Sequence, residues 1–304
     1  MQSRDATPAS SPMKSLKQKK AFITGAASGI GRATAIAMAR EGSELFLTDI
    51  NAKALEAVVA EIVNAGGKVS VSRALDIASY EAVRDYARDI HREHGSMDLV
   101  LNIAGIAIWG AVENMEHRQW RQVIDVNLMG PIHVMECFVP EMVRAGRGGH
   151  LVNVSSAAGL FGLPWHAAYS GSKFGLRGVS EVLRFDLRRH NIDVSLVCPG
   201  GVDTGLVQTI QIAGIDTGAP FMSKLRAAFQ AHAISPEKAA KAILSGIRAR
   251  RYLVFTSMDI RIGYFFQGKF PITYDIVMRI MNHVMYKVMQ RQERRAEAER
   301  EATR

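Results

Sequence analysis

The chain has 304 residues, 48% of them hydrophobic, enough for one large core and, with tails, for a single catalytic domain of roughly 250 residues. Its net charge of +9 would suit a polyanion, but part of the excess lies near the ends, in Lys14, Lys17, Lys19 and Lys20 and in the arginines from Arg291 onward. No aromatic-basic platform accompanies it, so nucleic acid is not an expected partner.

Residues 1–17 are rich in Ser, Pro and Ala, lack the apolar run of a signal peptide, and are expected to be a disordered tail. A short apolar strand at Ala21–Thr24 leads into an Ala-rich helix over Gly31–Glu41, and a second strand follows at Glu44–Thr48. The alternation continues with a helix over Asn51–Ala65, a strand at Lys68–Arg73, a helix over Ser79–Glu93 closed by Gly95, and a strand at Met97–Asn102. One helix is predicted over Glu116–Val126 running on toward Val143, then a strand at His150–Val154, a helix carrying Tyr169 and Lys173, and a strand at Ile192–Cys198. After Asp203 the pattern breaks into a Gly-, Met- and Phe-bearing stretch up to His232. A helix at Pro236–Arg248, a strand at Tyr252–Thr256 and a long final helix complete the chain. Continuous apolar strands between amphipathic helices imply a doubly wound α/β domain over 18–256, its parallel sheet covered on both faces, with a C-terminal helical extension over 257–304.

Two cysteines, Cys137 and Cys198, are too few for a disulfide framework and point to a reducing, cytoplasmic setting. No run reaches the roughly 18 uninterrupted apolar residues of a spanning helix.

Thr24-Gly-Ala-Ala-Ser-Gly-Ile-Gly31 stands where a strand turns into a helix. There Gly25, Gly29 and Gly31 permit a tight turn, and the backbone around Ser28 and Ile30 can approach a pyrophosphate at a helix N-terminus. Asp49 closes the second strand twenty-four residues after Gly25, where a carboxylate accepts from an adenosine 2′-hydroxyl and repels a 2′-phosphate. NAD is therefore favoured over NADP, with Arg32 as the cation able to reverse that preference. A plainer reading makes Asp49 a cap for the helix from Asn51.

Tyr169-Ser-Gly-Ser-Lys173 places a phenol and an ammonium on one helical face, thirteen residues after Ser156. An ammonium about 4 Å from the phenol, at an effective dielectric of about 20, is worth roughly 4 kcal/mol. That corresponds to about three pK units and brings a phenolate within reach of neutral pH.

With these motifs in order, the chain resembles the short-chain dehydrogenase/reductases over about residues 18–256. Asp76, Asn102-Ile-Ala-Gly105, Asn127 and Pro199-Gly-Gly-Val-Asp-Thr204 complete the match. The resemblance implies a Rossmann-type fold and an NAD(P)-dependent oxidoreductase interconverting a secondary alcohol and a ketone. Tyr169 would be the acid/base, Lys173 would lower its pKa and hold the nicotinamide ribose, Ser156 would bind the substrate oxygen, and Asn127 would complete a proton relay. Asp76 and Ile77 would flank the adenine. Asn102, Ala104, Gly105, Pro199, Gly200, Val202 and Thr204 would line the cofactor. Ile103 stands where the family carries a second asparagine, which bears on local packing. By its own context Asn127 reads as a helix-surface residue.

Trp109, Phe161, Leu163, Trp165 and His166 suggest an apolar cleft for a steroid-, retinoid- or lipid-like substrate, although core packing also accounts for them. His91 and His94 share a helical face without a third ligand, so no metal is expected. The apolar spacing from Ile276 to Val288 is helical and carries three readings: a subunit-docking or lid helix in a homo-oligomer, a peripheral helix at a membrane surface, or a packed helix. Two alternatives stand beside the alcohol dehydrogenase reading. One is an NADPH-dependent carbonyl reductase, the other a catalytically silent cofactor-binding protein acting at a membrane surface or as a scaffold.

Overall fold

The structure, a computed structural model, describes residues 15–205, 209–215, 222–223, 227, 230 and 233–302. Of the tail expected over 1–17, residues 1–14 lie outside the described residues, as does most of the stretch from 206 to 232; the end of that tail is instead ordered, with Leu16 buried in the core and its carbonyl accepting from the Ser43 hydroxyl at 2.9 Å.

Seven strands form one parallel sheet: β1 (Lys20–Thr24), β2 (Glu44–Asp49), β3 (Lys68–Ala74), β4 (Leu99–Asn102), β6 (Gly149–Val154), β7 (Ile192–Cys198) and β9 (Leu253–Phe255). Their spatial order is β3-β2-β1-β4-β6-β7-β9. The order reverses between β1 and β4, and a crevice opens at that point beyond the strands' carboxyl ends. Across it lies a small parallel pair, β5 (Ile108–Trp109) with β8 (Gln211–Ile212).

Successive strand residues point to opposite faces, and here both faces are buried. Ala21 and Ile23, Leu45 and Leu47, and Leu99 and Leu101 pack under α1 (Gly29–Arg40), α2 (Ala52–Asn64) and α7 (Pro236–Arg248). Phe22, Phe46 and Val100 meet α3 (Tyr80–His94), α5 (Gly130–Ala145) and α6 (Ala167–Asp186) through Tyr86, Phe138 and Leu176. This explains why the strands read as unbroken apolar runs.

Helix ends follow local chemistry. Asn51 and Ser79 accept from the third residue of the helices they open, and Gly95 closes α3 with φ of 71°. Asn51 is thus the cap of α2, while Asp49 accepts from Asn51 N at 2.9 Å and steadies the turn before it.

Two helices differ from expectation. The single helix predicted from Glu116 is α4 (His117–Ile124), a π turn at Asp125–Met129, and then α5. The long final helix is two, α8 (Met258–Lys269) and α9 (Pro271–Ala302), divided where Pro271 offers no N–H to continue the ladder. Ile260 of α8 packs over Gly200, and Gly263 faces Phe161. The Tyr274 hydroxyl of α9 accepts from Gly162 N at 2.8 Å and donates to Gly162 O at 3.2 Å. The outer side of this pair exposes Phe265, Phe266, Phe270, Ile276 and Ile280. Among the described residues no helix is long and apolar enough to cross a membrane.

His91 pairs with the Cys137 and Gly95 carbonyls, and the described residues contain no group of three or more metal-ligating side chains. Burial pushes the Cys137 and Cys198 thiols up to about 11 and about 12, which keeps both protonated and unreactive.

Candidate active site

The turn between β1 and α1 can be built only with glycine. Gly25 has φ of 68°, and a Cβ there would lie 2.8 Å from the Ala104 backbone; a Cβ on Gly31 would lie 2.0 Å from the Gly25 carbonyl oxygen. The crossing is fixed by the buried Thr24, whose Oγ1 accepts from both Ile103 N (3.0 Å) and Ala104 N (3.1 Å). The Thr24 hydroxyl therefore joins the ends of β1 and β4.

Above the turn is a cleft of about 520 Å³ bounded by Gly25, Ser28, Gly29, Ile30, Gly31, Asp49, Asp76, Ile77, Ala104, Gly105 and Thr204. The cradle suits a dinucleotide: α1 presents its N-terminus to the cleft, its glycines leave room at the backbone, and the Asp49 carboxylate lines the same cleft. Asp49 also accepts from Ala27 N at 3.0 Å, which fixes its carboxylate against the glycine turn. Arg32 is directed elsewhere, to Glu61 at 2.6 Å on the surface. Asn102 departs from expectation: its side chain is buried in the sheet, donating to Asn153 Oδ1 at 2.9 Å, and it lines neither cavity. Ile103 lines both, so the departure from the usual asparagine pair places an apolar wall at the junction.

A second cavity, of about 280 Å³, adjoins the first through Ile30, Gly105, Ile106 and Thr204. Ser156, Tyr169, Lys173, Pro199, Gly200 and Val202 line it, together with Trp109, Leu163 and His166. Ser156 follows the end of β6 in extended backbone, and its hydroxyl hydrogen-bonds the Tyr169 phenol. Lys173 donates to the Val154 carbonyl at 3.1 Å, with its nitrogen 5.8 Å from the Tyr169 ring centre.

The electrostatics reverse the expected coupling. Burial raises the Tyr169 pKa above its ordinary value, and the hydrogen bond from Ser156 offsets only part of this. Burial also pushes the Lys173 ammonium down to about 8. Desolvation of the phenolate thus dominates, and the free site holds Tyr169 as a phenol ready to donate its proton.

Asn127 is also placed differently from the surface position that its context implied. It is fully buried inside the π turn, and it accepts from Ile106 N and donates to Ile106 O, both at 2.9 Å. Trp165 lines neither cavity: it has φ of 65°, and its carbonyl accepts from Gly110 N at 2.7 Å. Phe161 packs with Leu160 and Ile260 beside the cavity.

Several walls had no sequence signal. Ile260 reaches the cavity from the C-terminal extension, Ile210 from the segment before β8, and Gln122 and Asp125 border the larger cleft from the α4 side.

Comparison with known proteins accords with this geometry. The family model described as short chain dehydrogenase matches residues 19–213. SadH of Mycobacterium tuberculosis, named as an oxidoreductase, is 34% identical over 251 residues, covering 82% of this chain and 90% of its own length. A short-chain dehydrogenase/reductase from Burkholderia phymatum, solved in complex with NAD, superposes with a TM-score of 0.76 at 28% identity, covering 84% of this chain and 95% of that one. A metagenomic short-chain oxidoreductase, solved in complex with NADP, gives 0.64 at 31% identity over 79% of this chain and 96% of that one. With its parallel doubly wound sheet and a glycine turn at the switch point, the chain belongs to the short-chain dehydrogenase family of oxidoreductases.

Proposed function

We propose that the protein is an NAD(H)-dependent oxidoreductase that interconverts a secondary alcohol and a ketone on a largely hydrophobic substrate. The observation that carries this reading is that Ser156, Tyr169 and Lys173 line one cavity that continues into the glycine-turn cleft. A nicotinamide cofactor, when bound, supplies or accepts the hydride. Ser156 hydrogen-bonds the substrate oxygen, Tyr169 donates its proton to that oxygen as the ketone becomes an alcohol, and Lys173 offsets the charge that develops. Because Tyr169 is held protonated, the free site is poised for reduction. A screen of ketones and secondary alcohols followed by nicotinamide absorbance tests the assignment; no turnover of either class would overturn it.

The preference for NAD(H) rests on Asp49 lining the cleft at the end of β2, where a carboxylate would accept from a ribose 2′-hydroxyl, and on the pairing of Arg32 with Glu61. Fluorescence titration is expected to give a Kd for NADH about tenfold or more below that for NADPH, the equivalent of about 1.4 kcal/mol. Asp49→Ser should narrow the gap. Tighter binding of NADPH by the unaltered protein would instead favour the carbonyl reductase reading.

Of the three readings of the C-terminal helices, the lid is supported by specific contacts: Ile260 in the cavity wall and Tyr274 on Gly162. Tyr274→Phe removes both hydrogen bonds to the loop that carries Leu163 and His166. It should raise KM about threefold to tenfold with kcat changed less, as expected for the loss of one or two modest hydrogen bonds. An unaltered KM would count against the lid.

A further inference from the structure

Beyond Ser156, Tyr169 and Lys173, the described walls of the substrate cavity are largely apolar, Ala107, Leu163, Ile210 and Ile260 among them, and two tilted rings there carry polar atoms. Trp109 and His166 lie with ring centres 4.3 Å apart, and the His166 ring centre is 6.3 Å from that of Tyr169. His166 Nδ1 lies 2.6 Å from the Pro164 carbonyl oxygen. A carbonyl only accepts, so Nδ1 carries the proton, and in the neutral ring Nε2 is a free acceptor. Burial lowers the His166 pKa and keeps the ring neutral. No described residue pairs with Nε2. The Trp109 indole N–H is itself buried with no partner among the described residues, an arrangement that costs free energy unless a ligand completes it.

We infer that Trp109 and His166 form a recognition site for a hydroxyl group carried by the substrate, remote from the carbon that exchanges hydride. The inference rests on the alcohol/ketone reading of the same cavity. A hydroxyl is the group that satisfies both rings, donating to His166 Nε2 and accepting from Trp109 Nε1. A ketone or ether at that place leaves Nε2 without a donor. A carboxylate meets the lone pair of a neutral imidazole, and among the described residues the one cation lining the cavity is Lys173, beside Tyr169. A hydrocarbon leaves both ring nitrogens unpaired. The substrate class is thereby narrowed from lipid-like alcohols and ketones in general to hydroxy-ketones and the corresponding diols, with an apolar body between the two oxygens.

The test uses matched ketones that differ only in a hydroxyl or a methyl at the far end: para-hydroxyacetophenone against para-methylacetophenone, and the longer para-hydroxybenzylacetone against para-methylbenzylacetone. Binding to the full chain saturated with NADH is read by tryptophan fluorescence, and turnover by loss of NADH absorbance. The hydroxyl member of at least one pair should bind about tenfold or more tightly and show a correspondingly higher kcat/KM. His166→Phe should reduce that preference to within about twofold without altering NADH affinity. His166→Gln, which retains an acceptor, should restore part of it, and Trp109→Phe provides a second variant if His166→Phe does not fold. Equal binding of hydroxyl and methyl members in both pairs, or a hydroxyl preference that survives both His166→Phe and Trp109→Phe, overturns the inference. Hydroxyl-selective binding without turnover of any ketone leaves the recognition site standing and overturns the alcohol/ketone reading instead.

Discussion

Replacing Tyr169 with phenylalanine is expected to lower kcat for ketone reduction by about 10³-fold while NADH affinity stays within about twofold, because general acid catalysis by a positioned group contributes roughly 10²–10⁴-fold. The phenol is 8% exposed, hydrogen-bonded to Ser156, and lines the cavity directly, so its loss removes the proton donor with little change in cavity shape. The pH profile carries a second signature. Burial places the Tyr169 pKa above its ordinary value, so the acid form persists through neutrality and into mild base. Lys173 titrates at about 8 in the free protein: its ammonium is present below that pH and lost as pH rises through it. The profile of kcat/KM for reduction, which reports groups of the free enzyme, should therefore be level below about pH 8 and fall above it. Lys173→Met should lower the plateau and abolish the fall. Should Tyr169→Phe keep more than a tenth of the wild-type kcat, another group must supply the proton.

Much of the fold could be read in advance because its causes are local. Phe22 and Ile23 occupy opposite faces of a two-sided sheet, so their strand is apolar throughout, and Ser79 and Gly95 mark the ends of α3 by chemistry confined to one turn. The glycine turn was legible for the same reason: Gly25 and Gly31 answer backbone clashes that no other residue tolerates. What escaped depends on contacts between distant segments. Ile260 is one apolar residue among many in the C-terminal extension, and only the docking of α8 against Gly200 makes it a cavity wall. Trp165 resembles its neighbour His166 as a cleft candidate, yet a left-handed backbone turns it away from the cavity. The sign of the Tyr169 shift escaped as well, because Coulomb attraction can be estimated from spacing whereas desolvation depends on the assembled site.

Asn127 shows how a site residue can be held in place by the fold's own hydrogen bonds, and Asn127→Leu is the change that should expose this. One extra backbone residue in the π turn rotates a side chain from the surface of a helix into the interior, where its amide closes a two-way bridge to Ile106. Leucine has a similar size and no polar atoms, so Ile106 N–H and C=O would both lose their partners. At about 1–3 kcal/mol for each buried group left unpaired, the expected loss of stability is about 2–6 kcal/mol. In a domain of this size that lowers Tm by roughly 4–24 °C. Ile106 and its neighbour Gly105 line both cavities, so NADH affinity should weaken along with stability. A Cβ on Gly105 would meet Asn127 Oδ1 at 3.0 Å and Lys173 Nζ at 3.4 Å, so the same bridge sets the wall against which the lysine rests. If Asn127 served only as a link in a proton relay, the variant would lose kcat with Tm and NADH affinity unchanged. Thermal unfolding measured beside cofactor titration therefore separates support of the site from passage of a proton. The geometry requires that the first be present whether or not the second operates, because Ile106 has no other described partner for its amide and carbonyl.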